Sequence, residues 1–437
     1  MTTLASIRAA LAAGTATSQS CIDDAYRAAQ RSQDALRAFC YLPPQAPVGN
    51  PRATAPLAGV AVGIKDMIDT AEMVTAFNSP AYQGRRPQQD AWVVARLRAA
   101  GATVLGKTVT TEFAWRHPGP TVNPWNPAYT PGGSSSGSAA AVAAGIVPLA
   151  FGTQTQGSVV RPAAYCGVIG FKPTYGTIPR TGVLPLAGSL DHVGLFTSTV
   201  ADAAYTLRVV RGSDLADPHR AHVPQGPARP AAHRIGIVAR QVGGTIDAAQ
   251  QALLDGLAAK LAADGAQLVQ VELPAELFDA AGYALQLMSV EAAITHGALV
   301  DRSPELVSPA MRDLVRQGRA LDATAYAHAR ATQGPMAHRF QAWLTQTMAL
   351  DALLVAPASG EPPRGLESTG DAAFCAPWSY IGVPALNLPA GLGPSGLPLG
   401  VQLVGPAHGD EALLELAAWV EARTGWNQRR PPLAWAQ

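Results

Sequence analysis

The spacing of apolar positions changes several times along the chain. Leu4, Ile7 and Leu11 recur at helical intervals and stop at Gly14, which predicts a short amphipathic helix. A second helix is expected from near Ser18, so that residues 1–42 hold two helices before a proline-rich linker at 43–56. From 57 to 205 short apolar runs alternate with helical patterns. Strands are expected over 59–64, 102–105 and 147–151, and helices over 91–100 and 138–144. Alternation of this kind predicts layered α/β architecture. A stretch rich in Pro, His and Ala at 211–231 reads as a second linker, and 234–238 reads as a strand. Residues 247–350 carry helical spacing, as in Leu253, Leu257 and Leu261, while 351–405 return to strands and turns. No internal repeat is visible, and the helical block reads as an insertion between two parts of one sheet.

This gives one domain over 1–437. Its parts are N-terminal helices and linker at 1–56, a core at 57–205, a variable and mainly helical region at 206–350, and a C-terminal part of the core with a closing helix at 351–437.

Composition narrows the function classes. Hydrophobic content of 48% over 437 residues is ample for a core, and the net charge of +1 is spread without a basic stripe. That argues against a nucleic-acid or membrane-surface partner. Arg8 interrupts the short apolar start, unlike a signal peptide, and no apolar run approaches the roughly 20 residues of a membrane span. Cys21, Cys40, Cys166 and Cys375 lie far apart and form neither a metal pair nor a disulfide framework, as expected of reduced cytoplasmic thiols.

Lysine use is more telling. Lys and Arg total 32, yet the lysines are only Lys65, Lys107, Lys172 and Lys260. Arginine stays protonated, whereas a buried lysine can turn neutral and act as a base. Lys65 ends an apolar run, where an unpaired ammonium is costly.

Two short motifs invite other readings. Residues 101–108 fit the Walker A pattern of a nucleotide-binding ATPase, but a helix precedes Gly101 and a strand pattern fills the loop, which inverts the required order. Gly133-Ser134-Ser135-Ser136-Gly137 fits the nucleophile elbow of an α/β-hydrolase, with Ser135 as nucleophile and His192 or His296 as base. The elbow needs a strand before it, and the prolines between Asn123 and Pro131 forbid a central one. A second cluster, Gly152-Thr153-Gln154-Thr155-Gln156-Gly157-Ser158, leads into Val159-Val160-Arg161-Pro162. Alone, Ser158 reads as readily as a helix cap.

Taken in order, these pieces resemble the amidase signature family of serine hydrolases. The matching runs are Gly63-Ile64-Lys65-Asp66, then 132–145, then Gly157-Ser158-Val159-Val160-Arg161-Pro162-Ala163. Further matches are 170–176, 189–194, 382–385 and 396–402. The resemblance implies an α/β/α sandwich with a large twisted mixed β-sheet covered by helices. It implies a Ser–cis-Ser–Lys triad of Ser158 as nucleophile, Ser134 as bridge and Lys65 as base. Backbone N–H groups of Thr155, Gln156, Gly157 and Ser158 would face the oxyanion. No cofactor or metal is implied, and the partner is a small-molecule amide; a homodimer is left open.

The chain departs from the family in two places. Most members carry glycine where Gln156 stands, and a positive φ there would strain glutamine. Many carry Asp at Gln154. The run Thr153-Gln154-Thr155 resembles the malonamidase type most, in which the arginine matching Arg161 binds a substrate carboxylate; a structural salt bridge is the alternative for Arg161. The alternative function is the glutaminase-type subunit of a tRNA amidotransferase.

Overall fold

Threonines set the starts of the first two helices. In the computed structural model, which describes residues 2–218, 233–426 and 429–433, α1 (Leu4–Ala12) and α2 (Ser18–Leu36) each open on a capping box. Thr3 and Thr17 accept a backbone N–H three residues on, and Ser6 and Ser20 return the bond. The boxes satisfy donors that a helix start leaves free. A short strand, β1 (Phe39–Tyr41), follows inside the region read as helical.

The alternating region holds β2 (Ala61–Lys65), α3 (Trp92–Ala99), β3 (Thr103–Thr108), α4 (Ser136–Ala143), β4 (Leu149–Gln154), α5 (Val160–Cys166), β5 (Ile169–Lys172), β6 (His192–Thr197) and α6 (Val200–Val210). Its first three strands run past their expected ends, to Lys65, Thr108 and Gln154. Apolar runs mark where a strand is buried, but pairing carries it on into polar residues, and here two of those polar ends reach the site.

Next come β7 (Arg234–Val238), α7 (Ala248–Ala263), β8 (Gln267–Val271), α8 (Ala280–Arg302), α9 (Pro309–Ala320) and α10 (Ala323–Ala342). The chain closes with β9 (Ala352–Val355), α11 (Ala376–Tyr380), β10 (Ala385–Leu392), β11 (Pro398–Val404) and α12 (Asp410–Thr424). Strand β8 corrects the helical reading of 247–350: it pairs in parallel with β7, which pairs in parallel with β9. The helical block therefore begins by extending the sheet, and only α8, α9 and α10 are added outside it. Most of the linker expected at 211–231 lies outside the described residues.

Among the described residues the sheet has 11 strands in the order β1-β3-β2-β4-β6-β5-β10-β11-β9-β7-β8. Strand β2 is parallel to β3 and β4, whereas the strands from β4 through β6, β5, β10 and β11 to β9 are antiparallel neighbours. Period-two alternation gives it two buried faces. Val62, Ile64, Leu354 and Leu403 pack with Leu4, Val94, Leu207, Leu257 and Leu413 on one side. Ala61 and Ala150 meet Ile22, Ala140 and Ala163 on the other, where Leu353 and Val404 also meet Leu287, Met311 and Phe340. This is the α/β fold expected, a mixed sheet covered by helices. Lys65 is in phase with Ala61, so β2 aims it toward α4 and α5.

Candidate active site

Lys65 ends β2 with its side chain fully buried. Its Nζ lies 2.7 Å from Ser134 Oγ, 2.7 Å from Thr153 Oγ1 and 3.3 Å from Thr153 O. All three partners are uncharged. Burial pushes the Lys65 pKa well below the usual lysine range, with Asp191 the charge that opposes the shift. An amine in this setting gives up its proton readily and can serve as a base.

Ser134 stands on the turn before α4, and the Gly133–Ser134 peptide bond is cis, the isomer the family resemblance implies. The carbonyl of that peptide accepts a bond of 2.7 Å from Arg161 Nη2, on α5. The turn sits hard against neighbouring backbone. A Cβ at Gly137 would come within 2.1 Å of Ala38 O and 2.4 Å of Val109 N, so only glycine lets α4 begin here.

The second cluster forms the turn between β4 and α5. The backbone N–H groups of Thr155, Gln156, Gly157 and Ser158 have no acceptor among the described residues, and all four residues line one cavity. Free amides in a row make an anion-binding concavity. Ser158 is 8% exposed, and its Oγ has no hydrogen-bond partner among the described residues. It is not hydrogen-bonded to Ser134; the two turns are joined instead by Ser135 N donating to Ser158 O at 3.4 Å. Gln156 does not have a positive φ, so glutamine sits in the turn without strain.

The turn is braced from below. Thr155 Oγ1 donates to Asp191 Oδ1 at 2.6 Å, and the same carboxylate accepts from Leu186 N and Ala187 N at 2.9 and 3.0 Å. Burial pushes Asp191 up to about 6 despite those donors and Arg180. Gln154 Oε1 accepts from Val159 N and Val160 N at 2.8 and 3.0 Å, capping the start of α5.

The cavity has a volume of about 570 Å³, within the range of roughly 300–1,000 Å³ usual for small-molecule sites. Ser134, Ser158 and Arg161 lie in its wall, together with Trp115, Arg116, Thr369 and Asp371. Arg161 is 5% exposed and makes no ion pair with a described carboxylate. Nη2 also donates to Thr369 Oγ1 at 3.2 Å, while Nε has no partner among the described residues. The salt bridge considered for Arg161 is therefore absent among the described residues. Burial lowers its pKa, with Tyr165, Cys375 and Asp371 opposing.

The competing motifs dissolve in the structure. Ser135 is fully buried, donates to Thr153 O at 3.3 Å and lies outside the cavity wall. Lys107, in the Walker-like run, sits in strand β3 and donates to Thr70 and Thr75 hydroxyls at 3.1 and 2.8 Å. Among the described residues no group of three or more His, Cys, Asp or Glu could hold a metal ion, and no helix is long and apolar enough to cross a membrane. Sequence reasoning missed Thr153, Asp191 and Thr369 as partners of Lys65, Thr155 and Arg161. Thr153 and Asp191 lie inside the motif runs 152–158 and 189–194; nothing in the chain marks Thr369.

Similarity to known proteins places the chain in a family. The family model Amidase matches residues 6–414. "Putative amidase AmiD" of Mycobacterium tuberculosis (strain ATCC 25618 / H37Rv) is 34% identical over 451 residues, covering 95% of this chain and 93% of that protein. A glutamyl-tRNA(Gln) amidotransferase subunit of Shouchella clausii (strain KSM-K16) is 34% identical over 423 residues, covering 86% of each. The structure of native peptide amidase from Stenotrophomonas maltophilia superposes with a TM-score of 0.83 at 30% identity, covering 99% of this chain and 98% of that one. The chain belongs to the amidase signature family. It is an amide hydrolase, and its substrates are small-molecule amides.

Proposed function

We propose that the reaction runs through Ser158, Ser134 and Lys65. The carrying observation is the 2.7 Å contact of a fully buried lysine with Ser134 in the wall of a cavity that also holds Ser158. Neutral Lys65 takes the proton of Ser134, and Ser134 takes that of Ser158 as Ser158 Oγ bonds to the amide carbonyl carbon. The oxygen of that carbonyl gains the negative charge and lies against the free N–H groups of residues 155–158. Losing one such donor typically costs about 10²–10³ in rate. The C–N bond then breaks while the proton returns from Lys65 through Ser134 to the leaving nitrogen. Ammonia or an amine departs, and water cleaves the Ser158 ester by the same relay.

The substrate class follows from Arg161. A buried guanidinium that has, among the described residues, an unpartnered Nε and no paired carboxylate favours a small amide that carries a carboxylate. The malonamidase resemblance points the same way. One assay tests both parts: purified protein against a panel of neutral and acidic small amides, with Ser158→Ala alongside. Loss of hydrolysis in the variant and faster turnover of acidic amides are expected. An active variant would overturn the nucleophile, and equal rates on both classes would overturn carboxylate binding.

The glutaminase-type reading comes second, favoured by the Shouchella clausii relative. Glutamine hydrolysed faster than every other amide in the panel would support it.

A further inference from the structure

Ser379 lies on α11, 225 residues from Gln154, and both side chains are buried. Gln154 Nε2 and Ser379 Oγ are 3.0 Å apart, and Ser379 Oγ lies 2.6 Å from Gln156 O. The direction of every bond in this series is fixed. Backbone N–H groups can only donate, so the Gln154 atom facing Val159 N and Val160 N is its carbonyl oxygen, and its NH₂ faces Ser379. Ser379 accepts there and has one hydrogen to give. Two carbonyls are in reach of that hydrogen, Gln156 O at 2.6 Å and Cys375 O at 3.5 Å, and the much shorter contact takes it.

The consequence is felt on the other edge of the same peptide. The bond from Gln156 to Gly157 is trans, since the cis bond is at Gly133–Ser134. In a planar trans peptide the C=O and N–H point in opposite directions. Holding Gln156 O toward α11 therefore turns the Gly157 N–H away from α11. That N–H is one of the free donors in the cavity wall.

We infer that Ser379 and Gln154 are positioning residues that aim the Gly157 N–H at the oxyanion. The inference rests on the reading of residues 155–158 as the oxyanion site. It also gives Gln154 a role that an acid in its place could not fill. A carboxylate accepts the two N–H groups of α5 equally well but has no hydrogen for Ser379. The serine hydroxyl would then turn to the carboxylate and release Gln156 O.

Three variants test this: Ser379→Ala, Gln154→Glu and the two combined, with Ser379→Thr as the conservative control. The first readout is kcat and KM on the fastest amide of the panel. The second is the second-order labelling rate of a fluorophosphonate probe. Its addition forms an Oγ–P bond at Ser158 and expels fluoride, with negative charge on the phosphoryl oxygen held by the same amides.

Ser379→Ala and Gln154→Glu should each lower kcat and the labelling rate by about 10- to 100-fold with little change in KM. That is less than the roughly 10²–10³ lost when an oxyanion donor is removed outright. The double variant should lose little more than either single one, because both act through one series of bonds. Ser379→Thr, which keeps the hydroxyl, should restore most of the rate.

Unchanged kcat in Ser379→Ala, a loss confined to KM, or full additivity in the double variant would overturn the inference. If Ser379→Ala does not fold, Gln154→Glu alone decides by the same criteria. Hydrolysis by Ser158→Ala would instead sink the underlying reading, so the two failures are told apart.

Discussion

A lysine works as a base only if something keeps it neutral, and at Lys65 that something is burial. The side chain is fully enclosed, and its contacts are two hydroxyls and a carbonyl. Enclosure denies an ammonium the solvation it would have at the surface, so the charged form is disfavoured. The rate should rise with pH as Lys65 loses its proton, with a midpoint below the ordinary lysine value of 10.5. Lys65→Arg is the sharper test. Arginine fits a cation's place but does not release its proton, so the loss should be about 10²- to 10⁴-fold in kcat. A pH–rate profile of wild type and variant checks both points, and an active arginine variant would contradict a neutral base.

Between residues and the whole fold stand the turns that hold the two serines. Helix α4 starts against the backbone of Ala38 and Val109 because Gly137 has no side chain. Both obstructing atoms belong to the main chain, so neither can swing aside. Gly137→Ala should destabilise the fold by about 1–3 kcal/mol, read from urea unfolding, and should lower activity by displacing Ser134.

This scale also shows what the sequence could and could not reveal. The strands β2, β3 and β4 were legible from apolar runs, and the candidate roles of Lys65, Ser134 and Ser158 from ordered motifs. Strand β8 was hidden: Gln267-Leu268-Val269-Gln270-Val271 is an edge strand with only Val271 buried, and Ala-rich helical spacing precedes it. β1 is too short to give a period. Ser379 and Thr369 meet the site only because β10 and β11 fold back beside β5, and no local pattern encodes that.

Across the whole molecule, burial of cations sets a pH dependence. Lys172 is held down to about 7 and Lys107 to about 8, burial being the main cause in each. Between about pH 8 and pH 9 the unfolded chain keeps protons on these lysines that the folded chain has released. Stability therefore rises with pH in that window, by at most about 1.4 kcal/mol per pH unit for each lysine. Glu421, pushed up to about 7, titrates below the window, while the thiols of Cys40, Cys166 and Cys375, all raised from 9.0, begin to oppose the climb at its upper edge. Urea midpoints measured across the window should climb, and Lys172→Met should flatten the climb.

Lysine burial has a practical consequence as well. Lys65, Lys107 and Lys172 are fully enclosed, while Lys260 is exposed on α7. α7 packs on the sheet face opposite the serine turns. Reagents that couple to lysine will therefore find the side chain of Lys260 and leave the other three untouched on the folded protein. A support or dye attached through Lys260 would sit in the last turn of α7, on the face of the sheet away from the serine turns.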